Sequence, residues 1–209
     1  GSISIGRRQV RCTITQHATR NTQRTFFILN SRYPILDSFF HPMIQVGTNA
    51  PAFANVTAYH QGQFTKVSLS DYHGKWLVFF FYPRDFTFVC PTELKGFSQH
   101  AAEFQALHCE VLAASTDSEW SHKAWFERDL PDVKYPILAD NTHQVSRDYQ
   151  VFNEQDGLAE RGLFIIDPEG LVKYSLISSG SVGRSVKEVL RVVQALQSGD
   201  LCPMEWTPG

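Results

Sequence analysis

Trp76-Leu77-Val78-Phe79-Phe80-Phe81 is an unbroken run of six apolar side chains, and no other segment constrains the fold as much. It falls far short of the roughly 18 to 20 residues that a bilayer-crossing helix needs. It is also too continuous to leave one face in water, so it reads as a strand buried on both faces of a sheet. Helices must then cover both faces. From Met43 onward the chain supplies them, because short apolar runs alternate with amphipathic stretches in the manner of an α/β layer structure. Further strands are expected at Glu110 to Ser115, Leu163 to Asp167 and Val172 to Ile177. The last two flank Asp167-Pro168-Glu169-Gly170, whose turn chemistry suits an antiparallel hairpin. Helices are expected at Cys90 to Leu107, Ser118 to Leu130, Thr142 to Tyr149 and Ser185 to Gln197. The last of these puts Val186, Val189, Leu190, Val193 and Leu196 on one face.

The chain has 209 residues, of which 43% are hydrophobic. That is enough for a sizeable core, and it excludes disordered, collagenous and fibrous classes. The net charge of −2 gives no overall footprint for nucleic acid or an anionic membrane. The charge is unevenly spread, however. Residues 1–42 carry six arginines, no lysine and one acid, Asp37, a formal +5 against −7 for the remainder. Gly1-Ser2 resembles the scar of a removed tag, and three readings compete for the rest of this leader: a transit-like segment, sequence translated from upstream of Met43, or packed structure. Residues 43–197 are expected to form one domain and residues 198–209 an irregular tail. The sequon Asn55-Val56-Thr57 is read as chance, because nothing like a secretory peptide precedes it. The expected location is cytoplasmic, with an organelle as the alternative if the leader is a transit peptide.

Four cysteines, Cys12, Cys90, Cys109 and Cys202, are too few for a disulfide scaffold and show no CxxC or zinc spacing. Redox chemistry would therefore rest on single thiols. The run Tyr82-Pro83-Arg84-Asp85-Phe86-Thr87-Phe88-Val89-Cys90 leads from the apolar strand through a turn into a helix that opens at a cysteine. Backbone N–H groups and the positive end of the helix dipole stabilise a thiolate in that position, and the thiolate is the nucleophile. The spacing Pro-x3-Thr-x2-Cys is expected only about 0.01 times by chance at ordinary residue frequencies. Most lone cysteines are small buried hydrophobes, and that reading suits Cys109 better than a second nucleophile. Cys12 receives no role. The eight histidines show no ligand spacing, and residues 180–183 lack the pattern of a dinucleotide loop, so neither a metal nor a cofactor is expected.

Phe86-Thr87-Phe88-Val89-Cys90-Pro91-Thr92-Glu93 resembles the active-site signature of the typical two-cysteine peroxiredoxins. Three further segments agree in order and separation. Arg161-Gly162-Leu163-Phe164-Ile165-Ile166-Asp167 resembles the strand with the family's active-site arginine, Val182-Gly183-Arg184 its second arginine, and Leu201-Cys202-Pro203-Met204-Glu205-Trp206 its resolving-cysteine segment. Ser115-Thr116-Asp117 followed by Ser121-His122-Lys123-Ala124-Trp125 is similar to the bacterial alkyl hydroperoxide reductase branch.

The resemblance implies a thioredoxin-like fold, with a central mixed sheet and helices on both faces. It also implies a cofactor-free peroxidase that reduces hydrogen peroxide and organic hydroperoxides. By the resemblance Cys90 is the peroxidatic nucleophile, Thr87 and Arg161 hold its thiolate and the peroxide oxygens, and Pro83 shields the sulfur. Glu93 and Arg184 orient Arg161. Cys202, 112 residues after Cys90 in a polar tail, is the resolving thiol of the partner subunit, which implies a homodimer, decamers of such dimers, and an external thioredoxin-like or flavoprotein disulfide reductase. The chain departs from peroxide-sensitive members in two places. It has no Gly-Gly-Leu-Gly insertion between Phe126 and Pro136, before the strand expected over Tyr135 to Asp140, and no Tyr-Phe helix between Cys202 and Gly209. Those elements slow the local unfolding that joins the cysteines, so the expectation is resistance to overoxidation. Rapid sulfinic acid formation during a peroxide titration would contradict it.

Overall fold

A computed structural model of the protein describes residues 44–208. The leader expected over residues 1–42, with Cys12, lies outside them. The apolar run forms β3 (Trp76–Phe81) in the middle of a seven-stranded sheet. The other six strands are β1 (Val56–His60), β2 (Gln63–Val67), β4 (Cys109–Ser115), β5 (Ile137–Ala139), β8 (Arg161–Ile166) and β9 (Val172–Ser178), in the order β2-β1-β5-β4-β3-β8-β9. A separate two-stranded ribbon joins β6 (Phe152–Asn153) to β7 (Leu158–Ala159). β3 runs parallel to β4 and antiparallel to β8, which makes the sheet mixed, as expected.

Alternation along β3 sends Val78 and Phe80 into one buried cluster and Leu77, Phe79 and Phe81 into the other. The first cluster is covered by α1 (Cys90–Gln99), α2 (Ala101–Ala106), α3 (Glu119–Asp129) and α5 (Val186–Ser198). Phe80 stacks on Phe97 of α1 with ring centroids 4.3 Å apart. α5 buries Val186, Val189, Leu190 and Val193, each contributing roughly 1.5–3 kcal/mol by leaving water. The second cluster holds Val145 of α4 (Gln144–Asp148) and Tyr149, which meets Phe79 edge-on at 5.0 Å. Side-chain oxygens cap two helices at the start: Ser118 accepts from Ser121 N, and Ser185 from Glu188 N. Gly199, at φ 71°, ends α5 in the left-handed conformation. Among the described residues no helix is long and apolar enough to cross a membrane.

Four features depart from the sequence reading, one of them the β6–β7 ribbon, where no strands were expected. The helix expected over Cys90 to Leu107 is two helices, because His100 leaves helical geometry at φ −100°, ψ 13°, and its Nδ1 binds the Gly96 carbonyl at 2.8 Å. The helix expected over Thr142 to Tyr149 shortens to five residues, with His143 left-handed at its start. The β1–β2 hairpin was not expected. Its two-residue turn is Gln61-Gly62, both at positive φ, the twist that matches antiparallel strands.

The pairing register decides where chemistry is possible. β8 begins beside the end of β3, with Leu163 opposite Phe80, and Ser178 at the end of β9 lies opposite Arg161. The exit of β3, the entry of β8 and the exit of β9 therefore share one end of the sheet.

Candidate active site

At that end of the sheet the chain leaves β3 through Tyr82 and Pro83, turns at Phe86 with φ 55°, and enters α1 at Cys90. No side chain caps α1, and Pro91 occupies its first turn, where its missing N–H costs nothing. The Thr92 N–H donates to the Val89 carbonyl at 3.1 Å, so what the helix start offers the sulfur is the positive end of its dipole. Cys90 is only 1% exposed.

Arg161, the first residue of β8, reaches across from the neighbouring strand. Its Nη2 donates to Cys90 Sγ at 3.5 Å, its Nη1 donates to Glu93 Oε2, and its Nε donates to the Gly180 carbonyl at 2.8 Å. Glu93, one turn into α1, also accepts from Arg184. Arg184 Nε and its backbone N–H donate to Oε1 at 2.8 and 2.7 Å, and Nη2 donates to Oε2 at 3.0 Å. Arg184 Nη1 donates to the Gly162 carbonyl, and its guanidinium lies over the Phe80 ring. All three side chains are at most 3% exposed. Burial alone would raise the Glu93 carboxyl, but the hydrogen bonds and charge of Arg184, with the charge of Arg161, outweigh it and hold the group below the ordinary glutamate range. One carboxylate thus serves two guanidiniums, and the site keeps one positive charge in excess, directed at the sulfur.

Cys90, Arg161, Glu93 and Arg184, all expected from the sequence, meet in this single network. Pro83 stands half-buried at the strand exit, where a Cβ built on Gly180 would lie 3.6 Å from its Cγ. The Thr87 hydroxyl is half-buried and donates to the Arg84 carbonyl at 3.0 Å. Cys202 lies apart from the network. Its sulfur approaches Ser198 Oγ at 3.6 Å and the Ala195 carbonyl at 3.7 Å, at the end of α5. Cys90, Cys109 and Cys202 are all free thiols. Burial, reinforced by the Glu110 charge, pushes the Cys109 thiol up to about 12, so it stays protonated and unreactive.

The sequence reading gave no role to a second buried cluster beside this loop. Asp85, 3% exposed, accepts from Tyr82 Oη and Ser121 Oγ at 2.8 Å each and lies 2.9 Å from His122 Nδ1. Its backbone N–H donates to Asp117 Oδ2 at 2.8 Å. The cluster ties the loop before Cys90 to α3 and fixes its path. The signal was available, because His122, Trp125 and Phe126 stand at i, i+3 and i+4 on one helix face, which marks His122 as inward.

The sequence profile of the AhpC/TSA family matches residues 46–175. Peroxiredoxin prdx-2 of Caenorhabditis elegans is 52% identical over 173 residues, covering 78% of this chain and 86% of its own length. Peroxiredoxin-2 of Bos taurus is 51% identical over the same number of residues, with the same coverage. Among solved structures, reduced 2-Cys peroxiredoxin of Plasmodium vivax superposes with a TM-score of 0.76 at 35% identity, covering 80% of this chain and 91% of that one. Enterococcus faecalis AhpC gives 0.73 at 41% identity, covering 78% and 100%.

Proposed function

The chain belongs to the AhpC/TSA family, and from that premise we propose that Cys90 is the nucleophile of its peroxidase reaction, with Arg161 its electrostatic partner and Cys202 of a second subunit its resolving thiol. The protein is a peroxiredoxin, a thiol peroxidase on a thioredoxin-like fold. The observation that carries the residue assignment is the 3.5 Å contact of Arg161 Nη2 with Cys90 Sγ, made by a guanidinium fixed on its other edges by Glu93 and Gly180.

The chemistry follows from that placement. The Cys90 thiolate attacks one oxygen of a hydroperoxide, an S–O bond forms, and the O–O bond breaks. The leaving oxygen takes the electron pair and a proton to depart as water or an alcohol, and the sulfur becomes a sulfenic acid. Negative charge moves from sulfur to the distal oxygen during this step, and Arg161, whose Nη2 donates to the sulfur, supplies the positive charge that stabilises it. Pro83 walls the sulfur at the strand exit. The Thr87 hydroxyl donates to the Arg84 carbonyl at 3.0 Å, so holding the thiolate or a peroxide oxygen, as the resemblance implies, requires that proton to turn toward the sulfur.

The Cys202 thiol then attacks the sulfenic sulfur, releasing water and leaving a disulfide that an external dithiol reduces. A buried Cys90 cannot meet a thiol held at the end of α5 without movement, so this step requires the first turn of α1 and the tail after Gly199 to leave their positions. The substrate class is hydroperoxides, the reductant a thioredoxin-type dithiol, and the assembly a homodimer capable of forming rings.

Cys202→Ser tests the resolving assignment. One equivalent of peroxide is then consumed at the normal rate, but no covalent dimer appears on a non-reducing gel, and Cys90 proceeds to sulfinic acid as peroxide is added. A covalent dimer persisting in this variant would remove the role from Cys202.

A further inference from the structure

Beyond the residues that touch Cys90, we infer that Glu160 is a positioning residue that sets the angle of the Arg161 guanidinium through Gly180. This inference rests on the catalytic reading of Arg161 above.

Arg161 is held on three edges. Two of them, Nη1 on Glu93 and Nη2 on Cys90, involve groups of α1. The third, Nε on the Gly180 carbonyl at 2.8 Å, is the only one that involves the loop between β9 and α5. This third contact fixes rotation of the guanidinium plane about its own stem, and that rotation decides whether Nη2 faces the sulfur. Glycine is a poor anchor by itself, because without a Cβ its backbone rotates over a wider range than any other residue's. Something must hold Gly180 in place. Glu160 does so: its Oε2 accepts the Gly180 N–H at 3.1 Å, while its Oε1 accepts from Asn153 Nδ2, also at 3.1 Å. The carboxylate therefore ties the β6–β7 ribbon to the loop that carries both Gly180 and Arg184. Its hydrogen bonds are charge-assisted and stronger than neutral ones.

Gly180 also packs against Pro83, at the exit of β3. A Cβ built on Gly180 would lie 3.6 Å from Pro83 Cγ and 3.8 Å from Glu160 Oε2. Gly180 is thus packed between Pro83 and the carboxylate that anchors it. Releasing it would loosen Arg161 and its surroundings together, without removing any group that faces the peroxide.

The experiment is a double-mutant cycle on the second-order rate constant of Cys90 with hydrogen peroxide, measured by stopped flow with the full chain. Glu160→Ala is expected to lose about tenfold, in keeping with the cost of misplacing a catalytic group by a fraction of an ångström. Glu160→Gln keeps an acceptor oxygen for the Gly180 N–H and is expected to stay within about threefold of the parent. In an Arg161→Ala background, Glu160→Ala should cost nothing further, since the residue through which it acts is gone. A purely structural role would lower the rate equally in both backgrounds, and that result would overturn the inference. So would a Glu160→Ala rate within twofold of the parent, or a Glu160→Gln loss as large as that of alanine. Arg161→Ala reacting at the parental rate would instead overturn the catalytic reading beneath it.

Discussion

Cys90→Ser abolishes peroxide turnover, with a loss on the order of a thousandfold or more in the rate of peroxide consumption, while circular dichroism and the thermal midpoint stay close to those of the parent. The loss follows from the chemistry of the atom. A serine hydroxyl fills the buried position at the start of α1 with little change in volume, but its oxygen remains protonated at neutral pH and does not attack a peroxide O–O bond. Cys109→Ala provides the comparison. Its thiol lies at the other end of the sheet, at the start of β4, held protonated by burial, so turnover should persist. Retained turnover in Cys90→Ser, or its disappearance in a well-folded Cys109→Ala, would move the nucleophile elsewhere.

Glu93→Ala has the largest effect on the fold. Glu93 is the only carboxylate that pairs with Arg161 and Arg184 among the described residues, and all three side chains are buried. Removing it leaves two guanidiniums facing each other in a site of low dielectric, a defect that typically costs about 3–5 kcal/mol. Denaturant titration should therefore show a lower midpoint, and peroxide reactivity should fall with it because Arg161 loses its Nη1 anchor.

The same residue gives a pH dependence with a definite sign. Glu93 is more acidic in the folded protein than the ordinary value of 4.5, so it contributes stability at pH values above that figure and loses the contribution as pH falls through its depressed folded value. Thermal unfolding followed downward from pH 5 should show the parent losing stability more steeply than Glu93→Gln, which carries no titrating group there. Equal slopes would mean that the two arginines do not hold the carboxylate as the geometry indicates.

Much of this site can be read from the sequence because its parts are local signals. An apolar run, a proline, and a cysteine opening an amphipathic stretch define a strand, a turn and a helix start, and β3 and α1 begin where those signals place them. The pairing of Arg161 with Cys90, 71 residues away, is not a local property. It depends on β8 lying antiparallel beside β3, a register set by the packing of both sheet faces. The family resemblance supplied that pairing, where periodicity could not. His100 illustrates the opposite case: no glycine or proline marks the end of α1, and the break comes from a side chain capping the Gly96 carbonyl. The Gln61-Gly62 turn is only weakly marked in the sequence, since glycine alone signals it and the strands on either side alternate weakly. Glu160 carries no motif at all. Its meaning appears only once β9 brings Gly180 alongside.

Intact mass and peptide mapping of the parent protein after one equivalent of hydrogen peroxide, with free thiols blocked at quench, test whether Cys90 and Cys202 form the two-cysteine cycle. The expected product is a covalent dimer whose linked peptides contain Cys90 of one chain and Cys202 of the other, with Cys109 recovered as the blocked thiol. Oxygen or a disulfide on Cys109, with Cys90 recovered unoxidised, would contradict it.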